Sequence, residues 1–196
     1  SRGFIWDLAL RQKKTVQDFG EYVSDPIERQ PHAPSRAALM SEWKKGAADF
    51  SGRFQVEAPI PPLNSVLARD YPFWTLAVPD VVRAQIFQKH LDGWAKQSSM
   101  PNLVLMQLPG DHTAGTRPGM PTPEAMIADN DLALGQIVEG LSKSPFWKSM
   151  AIFVVEDDAQ AGLDHVDGHR TVALAISPYT YRGTVDSTVY SQTSML

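Results

Sequence analysis

The sequence of 196 residues predicts an α/β sandwich with a mostly parallel sheet. Three short apolar runs, at 102–110, 149–157 and 171–179, are typical of buried strands because polar residues do not alternate with apolar ones. Helical periodicity precedes the first run and separates it from the second. The order helix, strand, helix, strand, strand is typical of a sheet covered by helices.

Apolar spacing and capping residues predict the two long helices. The stretch PDVVRAQIFQKHLDGWAKQ, residues 79–97, has one apolar helical face, formed by Val82, Ile86, Phe87, Leu91 and Trp94. Thr122 is the expected cap of the second helix, with Pro123 at its first position and Glu124 in its first turn. Its expected apolar stripe consists of Ile127, Leu134, Ile137, Val138 and Leu141.

The region before these helices is less regular. Residues 3–11 are predicted to form a short helix and 15–23 a strand, whereas prolines interrupt 25–78 repeatedly and leave only 35–49 with the length of a helix. We interpret 25–78 as an excursion of loops and short helices that covers the core. Residues 1–196 are therefore predicted to form a single domain.

Composition excludes several classes of function. The net charge is −4 and no block of Lys or Arg is present, so no nucleic-acid surface is expected. The absence of cysteine excludes disulfides and thiolate catalysis. No apolar window has the length of a membrane span, and no secretion signal is present. The chain contains no G-x-S-x-G elbow, P-loop or G-x-G-x-x-G, whereas the carboxylate pair of a glycosidase stays open because sequence does not reveal geometry.

Polar clusters stand at the ends of the predicted strands. The first strand runs into Asp111 and His112, and the second runs directly into Glu156, Asp157 and Asp158. Before the third strand lie Asp164, His165, Asp167 and His169. Ligands of open α/β sheets bind beyond the carboxyl ends of the strands, so neighbouring strands would bring these clusters to one edge.

Carboxylates combined with imidazoles favour a divalent metal ion such as Zn²⁺, Mn²⁺ or Fe²⁺. Adjacent acids at the end of a buried strand repel one another and lose hydration unless a cation offsets their charge. The alternative for Asp157 and Asp158 is that they cap the turn after the strand. His165 would then be a surface histidine, and His169 a hydrogen-bonded histidine of the core.

The strings SRGFIWDLAL, LPGDHT and EDDAQAGLDHVDGHRTVALAISPY resemble the bacterial phosphoesterase family of the alkaline phosphatase superfamily, which includes phospholipase C and acid phosphatase enzymes. The resemblance covers residues 1–24 and 101–196. It implies a three-layer α/β/α sandwich and metal-assisted hydrolysis of phosphate esters or phospholipids. It also implies that a divalent ion such as Zn²⁺ or Mn²⁺ is bound by Asp111, Asp157, Asp158 and His169. His112 and His165 are the candidates for contact with phosphate.

The sequence departs from the family pattern in two places. Many superfamily members have a histidine four residues after the first aspartate, where this sequence has Gly115, and this favours a single-metal site. The nucleophile of the family is expected before Ser1. We therefore expect an incomplete fold, in which the chain carries the C-terminal half of the active site and is inactive alone.

Two alternatives of function stay open. One is a non-catalytic binding or structural module of the same fold, and the other is a sulfatase or transferase of the same superfamily. The resemblance suggests a bacterial, often exported protein, but substrate, oligomeric state and compartment are not given by the sequence.

Overall fold

The computed structural model describes residues 3–23, 35–46, 50, 53–54, 56–157 and 170–195. The chain consists of two compact units, Ser1–Lys143 and Ser144–Leu196. None of the helices in these described ranges has the length and hydropathy needed to cross a membrane. The expectation that 1–196 forms a single domain stays a prediction.

The first unit combines helices with two short strands. In chain order these elements are α1 (Ile5–Arg11), β1 (Val16–Phe19), α2 (Arg36–Lys44), α3 (Pro61–Asn64), α4 (Asp80–Gln97), β2 (Leu103–Met106), a 3₁₀ helix (Pro109–His112) and α5 (Pro123–Lys143). The predicted helices at 3–11 and 79–97 are thus present and shorter by two residues and one residue. The predicted strands at 15–23 and 102–110 are also present, each with four residues instead of nine.

The sheet of the first unit is parallel, as the sequence predicts. Strand β1 pairs with β2 so that Val16 lies opposite Leu103 and Phe19 opposite Met106. On its other side β1 forms a parallel bridge from Asp18 to Leu67. Helices combined with a small parallel sheet are compatible with the predicted α/β class, and β1 is the central strand of this sheet. The three-layer sandwich and the incomplete fold stay predictions.

Both faces of β1 are covered by apolar side chains. Val16 packs in a cluster with Trp6 of α1 and Leu63 of α3. Phe19 is fully buried, and its ring meets Tyr71 and Phe87 edge-on, each with 5.3 Å between ring centroids. Because successive side chains of a strand point to opposite faces, the four residues of β1 connect two parts of the core.

Helix α4 packs between this sheet and α5. All five residues of its predicted apolar face are buried. In α5 the side chain of Thr122 accepts a hydrogen bond from the N–H of Ala125 at 3.3 Å, which confirms the predicted cap. The predicted stripe of α5 is wrong at Ile127, which is 50% exposed; the neighbouring Met126 is buried instead, one position around the helix.

A carboxyl group is buried inside the first unit. Asp18 is 0% exposed, and one of its oxygens, Oδ1, accepts a hydrogen bond from the N–H of Glu21 at 3.2 Å. Its other oxygen has no hydrogen-bond partner among the described residues. Burial raises the pKa of Asp18 from 3.8 to about 7; the Glu21 N–H opposes this rise and the Glu21 charge adds to it.

The second unit differs from the expectation of parallel strands. Strands β3 (Ile152–Val155) and β4 (Ala173–Ile176) pair antiparallel, with Ile152 opposite Ile176. Phe153 and Leu174 are 49% and 41% exposed, so these apolar runs are not buried strands within the described structure. Uninterrupted apolar runs are typical of parallel strands because such strands are covered on both faces, but the run reports burial and does not by itself fix the direction of a strand.

Candidate active site

Asp111 and His112 lie on the 3₁₀ helix that follows β2. Both side chains are exposed. Because β1 and β2 are parallel, this turn stands at the carboxyl edge of the sheet, where ligands of α/β proteins bind. The structure thus places two of the predicted site residues, side by side, at the edge that the sequence predicts.

Hydrogen bonds orient the imidazole of His112. Its Nδ1 lies 3.1 Å from the carbonyl oxygen of Thr113, and its backbone N–H donates to Oδ1 of Asp111 at 3.1 Å. A carbonyl oxygen only accepts, so Nδ1 is the protonated nitrogen of this contact. In the neutral ring Nε2 then keeps its lone pair and is available to a proton, a metal ion or a ligand.

A buried carboxylate anchors the turn from below. Asp80, the first residue of α4, accepts hydrogen bonds at Oδ2 from the N–H of Gly110 at 2.8 Å and from Nδ2 of Asn130 at 3.0 Å. The same amide donates to the carbonyl oxygen of Leu108 at 3.0 Å. A Cβ atom on Gly110 would stand 2.3 Å from Oδ2 of Asp80, so only glycine permits this approach. The position of Asp111 is therefore fixed through its neighbour.

Arg83 anchors a second loop from the same turn of α4. Its guanidinium donates to the carbonyl oxygens of Pro72 at 2.7 Å, Phe73 at 2.8 Å and Thr75 at 3.2 Å. Its Nε lies 3.3 Å from Oδ1 of Asp80, and both side chains are 0% exposed. Burial raises the pKa of Asp80, whereas the Arg83 charge and the bonds from Asn130 and Gly110 oppose that rise.

Asp129 of α5 completes the buried network. Its Oδ2 accepts hydrogen bonds at 2.8 Å from the N–H of Asp80 and from the guanidinium of Arg36. Pro79, the residue before α4, offers no side-chain cap. A carboxylate from another helix thus satisfies the free N–H at the start of α4, where the helix dipole also favours negative charge.

The residue after the turn has a strained backbone. Thr113 has φ 58° and ψ 167°, a region that is populated almost only by glycine. Such a conformation costs about 1–3 kcal/mol in a residue with a side chain, and strain of this kind clusters at functional sites. The outlier lies next to the two predicted site residues and accepts the His112 hydrogen bond through its carbonyl oxygen.

We expect Thr113→Gly to raise the free energy of unfolding by about 1 kcal/mol, because relief of strain exceeds the added chain entropy of glycine. Urea denaturation followed by tryptophan fluorescence measures the change. Thr122→Gly is the control: it removes a threonine from a helix cap, and we expect it to lower stability. A loss of stability in Thr113→Gly would contradict the strain at this position.

The remaining predicted residues belong to the second part of the chain. Asp157 is exposed and is the second residue after β3, whereas Asp158, His165 and His169 lie outside the described residues. Within the described ranges, no group of three or more histidine or acidic side chains could hold a metal ion. The grouping of Asp111 with Asp157, Asp158 and His169 stays a prediction.

The donors that are described suit a divalent cation in their chemistry. Oδ2 of Asp111 has no hydrogen-bond partner among the described residues, and Nε2 of His112 is available beside it. A carboxylate oxygen and an imidazole nitrogen are ligands that borderline divalent ions accept.

Comparison with known protein families gives a match over most of the chain. The model of the Phosphoesterase family matches residues 56–196 of the chain. The chain belongs to this family. Phosphoesterase membership confirms the resemblance inferred from LPGDHT and EDDAQAGLDHVDGHR, and it indicates hydrolysis of phosphate esters. No curated protein and no solved structure matches the chain.

Sequence reasoning missed the residues beneath the turn. Asp80, Arg83, Asp129 and Asn130 bind no predicted ligand. Asp80 and Asn130 nevertheless hold the backbone before His112, at Gly110 and Leu108. Arg83 holds the loop 72–75, and Asp129 holds the start of α4. The sequence contained one signal of these residues. Asp80 and Arg83 stand three positions apart on a helix whose first turns are otherwise apolar. Asp80 and Asn130 support the turn that carries Asp111 and His112.

Proposed function

We propose that the chain is part of a metal-dependent hydrolase of phosphate esters and contributes ligands of its metal ion. Family membership over 56–196 is the observation that carries this proposal, because that range includes all six predicted site residues. The exposed pair Asp111 and His112, at the carboxyl edge of a parallel sheet, supports it.

The proposed roles follow from the chemistry of each side chain. Asp111, Asp157, Asp158 and His169 would hold a divalent ion such as Zn²⁺ or Mn²⁺. A bound ion neutralises charge on the phosphoryl oxygens. His112 and His165 would contact the phosphate. The hydrogen bond from Nδ1 of His112 to Thr113 would hold the ring in one orientation and so fix the direction of its Nε2.

We expect Asp158→Ala and His169→Ala to abolish metal binding. Calorimetric titration of the purified chain with Zn²⁺ and with Mn²⁺ should give micromolar or tighter binding in the unaltered protein. Loss of either ligand, a carboxylate or a neutral imidazole, should weaken the affinity by at least about 100-fold, since changes to groups that merely support the ligands already cost about 10- to 100-fold. Asp131→Ala, an exposed carboxylate on α5, is the control that should bind normally.

Turnover is the second measurement. Hydrolysis of p-nitrophenyl phosphate is measured for this chain and for the full-length protein that its gene encodes. Each is tested unaltered and as the Asp158→Ala variant. We expect Asp158→Ala to remove most activity and the bound metal together. Unchanged metal content with near-normal turnover would contradict the proposed function.

A further inference from the structure

A cleft lies beside His112 in the first unit. Its walls are the loop 73–77 and the segment 112–115, with Arg117 and Met120 completing the lining, and its volume is about 690 Å³. Ligand pockets in proteins commonly measure about 300–1,000 Å³. The cleft is thus large enough for a small organic molecule and shares His112 with the candidate active site.

The lining has a flat aromatic surface. Trp74 is 43% exposed, and the His112 ring meets it nearly perpendicular at 87°, with 5.3 Å between centroids. An exposed indole of this kind offers its face to a second aromatic ring, since offset or edge-on ring pairs are favourable. Phe73, Leu76 and Ala114 add apolar lining.

The charge of the lining favours an anion. Arg117 is the one permanent cation among the described residues that line the cleft, and that lining includes no carboxylate. Its guanidinium has no ion pair or side-chain hydrogen bond with any described residue. Planar guanidinium groups bind phosphate well through paired hydrogen bonds.

Both walls of the cleft are fixed before a ligand arrives. Arg83 binds three carbonyl oxygens of the loop that carries Trp74. Asp80 binds Gly110 in the turn that carries His112. Because these anchors are fully buried, little ordering of the backbone is needed on binding, and preorganisation of this kind favours affinity.

We propose that this cleft binds aryl phosphate esters, with the aromatic group against Trp74 and the phosphate near Arg117 and His112. The proposal rests on the proposed function, because it names the substrate class of the same site. Trp74 then selects the alcohol part of the ester, and Arg117 contributes to binding of the anion whatever that alcohol is.

The test uses a phosphonate that cannot be hydrolysed, so that binding is measured without turnover. The chain is titrated by calorimetry with 1-naphthylmethylphosphonate and with methylphosphonate. We expect the aryl compound to bind about tenfold tighter than methylphosphonate, and Trp74→Ala to remove this difference in affinity. Arg117→Gln should weaken both by about tenfold.

Leu8→Ala and Lys96→Gln are matched controls, since both residues are exposed and outside the cleft, and both variants should bind as the unaltered chain does. Absence of binding, or equal aryl binding with and without Trp74, would overturn the proposal. Tighter, Trp74-dependent binding of dihexanoyl phosphatidate would assign the cleft to an acyl chain and overturn the aryl assignment. If aryl binding behaves as expected but the metal titration fails, the proposed function falls and the cleft assignment stands.

Discussion

Replacement of Asp80 by alanine is expected to lower the free energy of unfolding by about 3–5 kcal/mol. Removal of one member of a buried ion pair leaves the other charge without compensation, and this is the range measured for such changes. Here the change leaves Arg83 buried beside no carboxylate, and it also takes the acceptor from Gly110 N–H and Asn130. The turn that carries Asp111 and His112 loses its anchor at the same time.

Two further variants separate charge from hydrogen bonding. Asp80→Asn keeps an acceptor oxygen for Gly110 and should cost less than the alanine change. Asp92→Ala removes a carboxylate from the exposed side of α4, where it accepts a hydrogen bond from Gln88, and should change stability by less than about 0.5 kcal/mol. Urea unfolding of the three variants gives the comparison. An Asp80→Ala protein within 1 kcal/mol of the unaltered chain would contradict this assignment.

The pH dependence of stability should carry the signature of Asp18. Its pKa is about 7 in the folded chain against an ordinary 3.8, so the folded state binds more protons between these two values. Its contribution to stability is therefore full below pH 4 and is lost as the pH rises toward 7. Between pH 5 and 8 the expected loss is about 2–3 kcal/mol.

Asp18→Asn isolates this contribution, because an amide does not titrate. The free energy of unfolding is measured by urea titration at pH 5, 6, 7 and 8 for both proteins. The unaltered chain should lose about 2–3 kcal/mol more than the variant over this range. Asp92→Asn, at an exposed position, should keep the normal dependence. Parallel curves for Asp18→Asn and the unaltered chain would show that Asp18 has no raised pKa.

The elements of the fold were predictable where a single periodicity dominates. Val82, Ile86, Leu91 and their neighbours indicate α4 because each third or fourth residue must be apolar to face the core. Strand β2 follows from an apolar run that ends at Pro-Gly. The direction of β4 against β3 was predicted wrongly, because an uninterrupted apolar run reports how apolar a strand is and does not by itself fix which way the strand runs.

The candidate site was predictable only in its exposed residues. Asp111 and His112 are conspicuous because polar groups follow an apolar strand. Asp18 and Asp80 are not, since a buried acid looks like any surface acid until its neighbours are known. The partners of Asp80 lie 30 and 50 positions away along the chain, at Gly110 and Asn130, and no local pattern specifies such a pairing.

The i, i+3 spacing of Asp80 and Arg83 separates the stability of the fold from the selectivity for a ligand, two properties that often oppose each other in enzymes. One helical turn holds the main chain of both cleft walls, whereas Trp74, Arg117 and Met120 line the cleft without belonging to that buried network. If the cleft binds phosphate esters as proposed, substitutions at those three positions would alter which ester is preferred at little cost in folding. A library restricted to them would sample new selectivities on an unchanged scaffold.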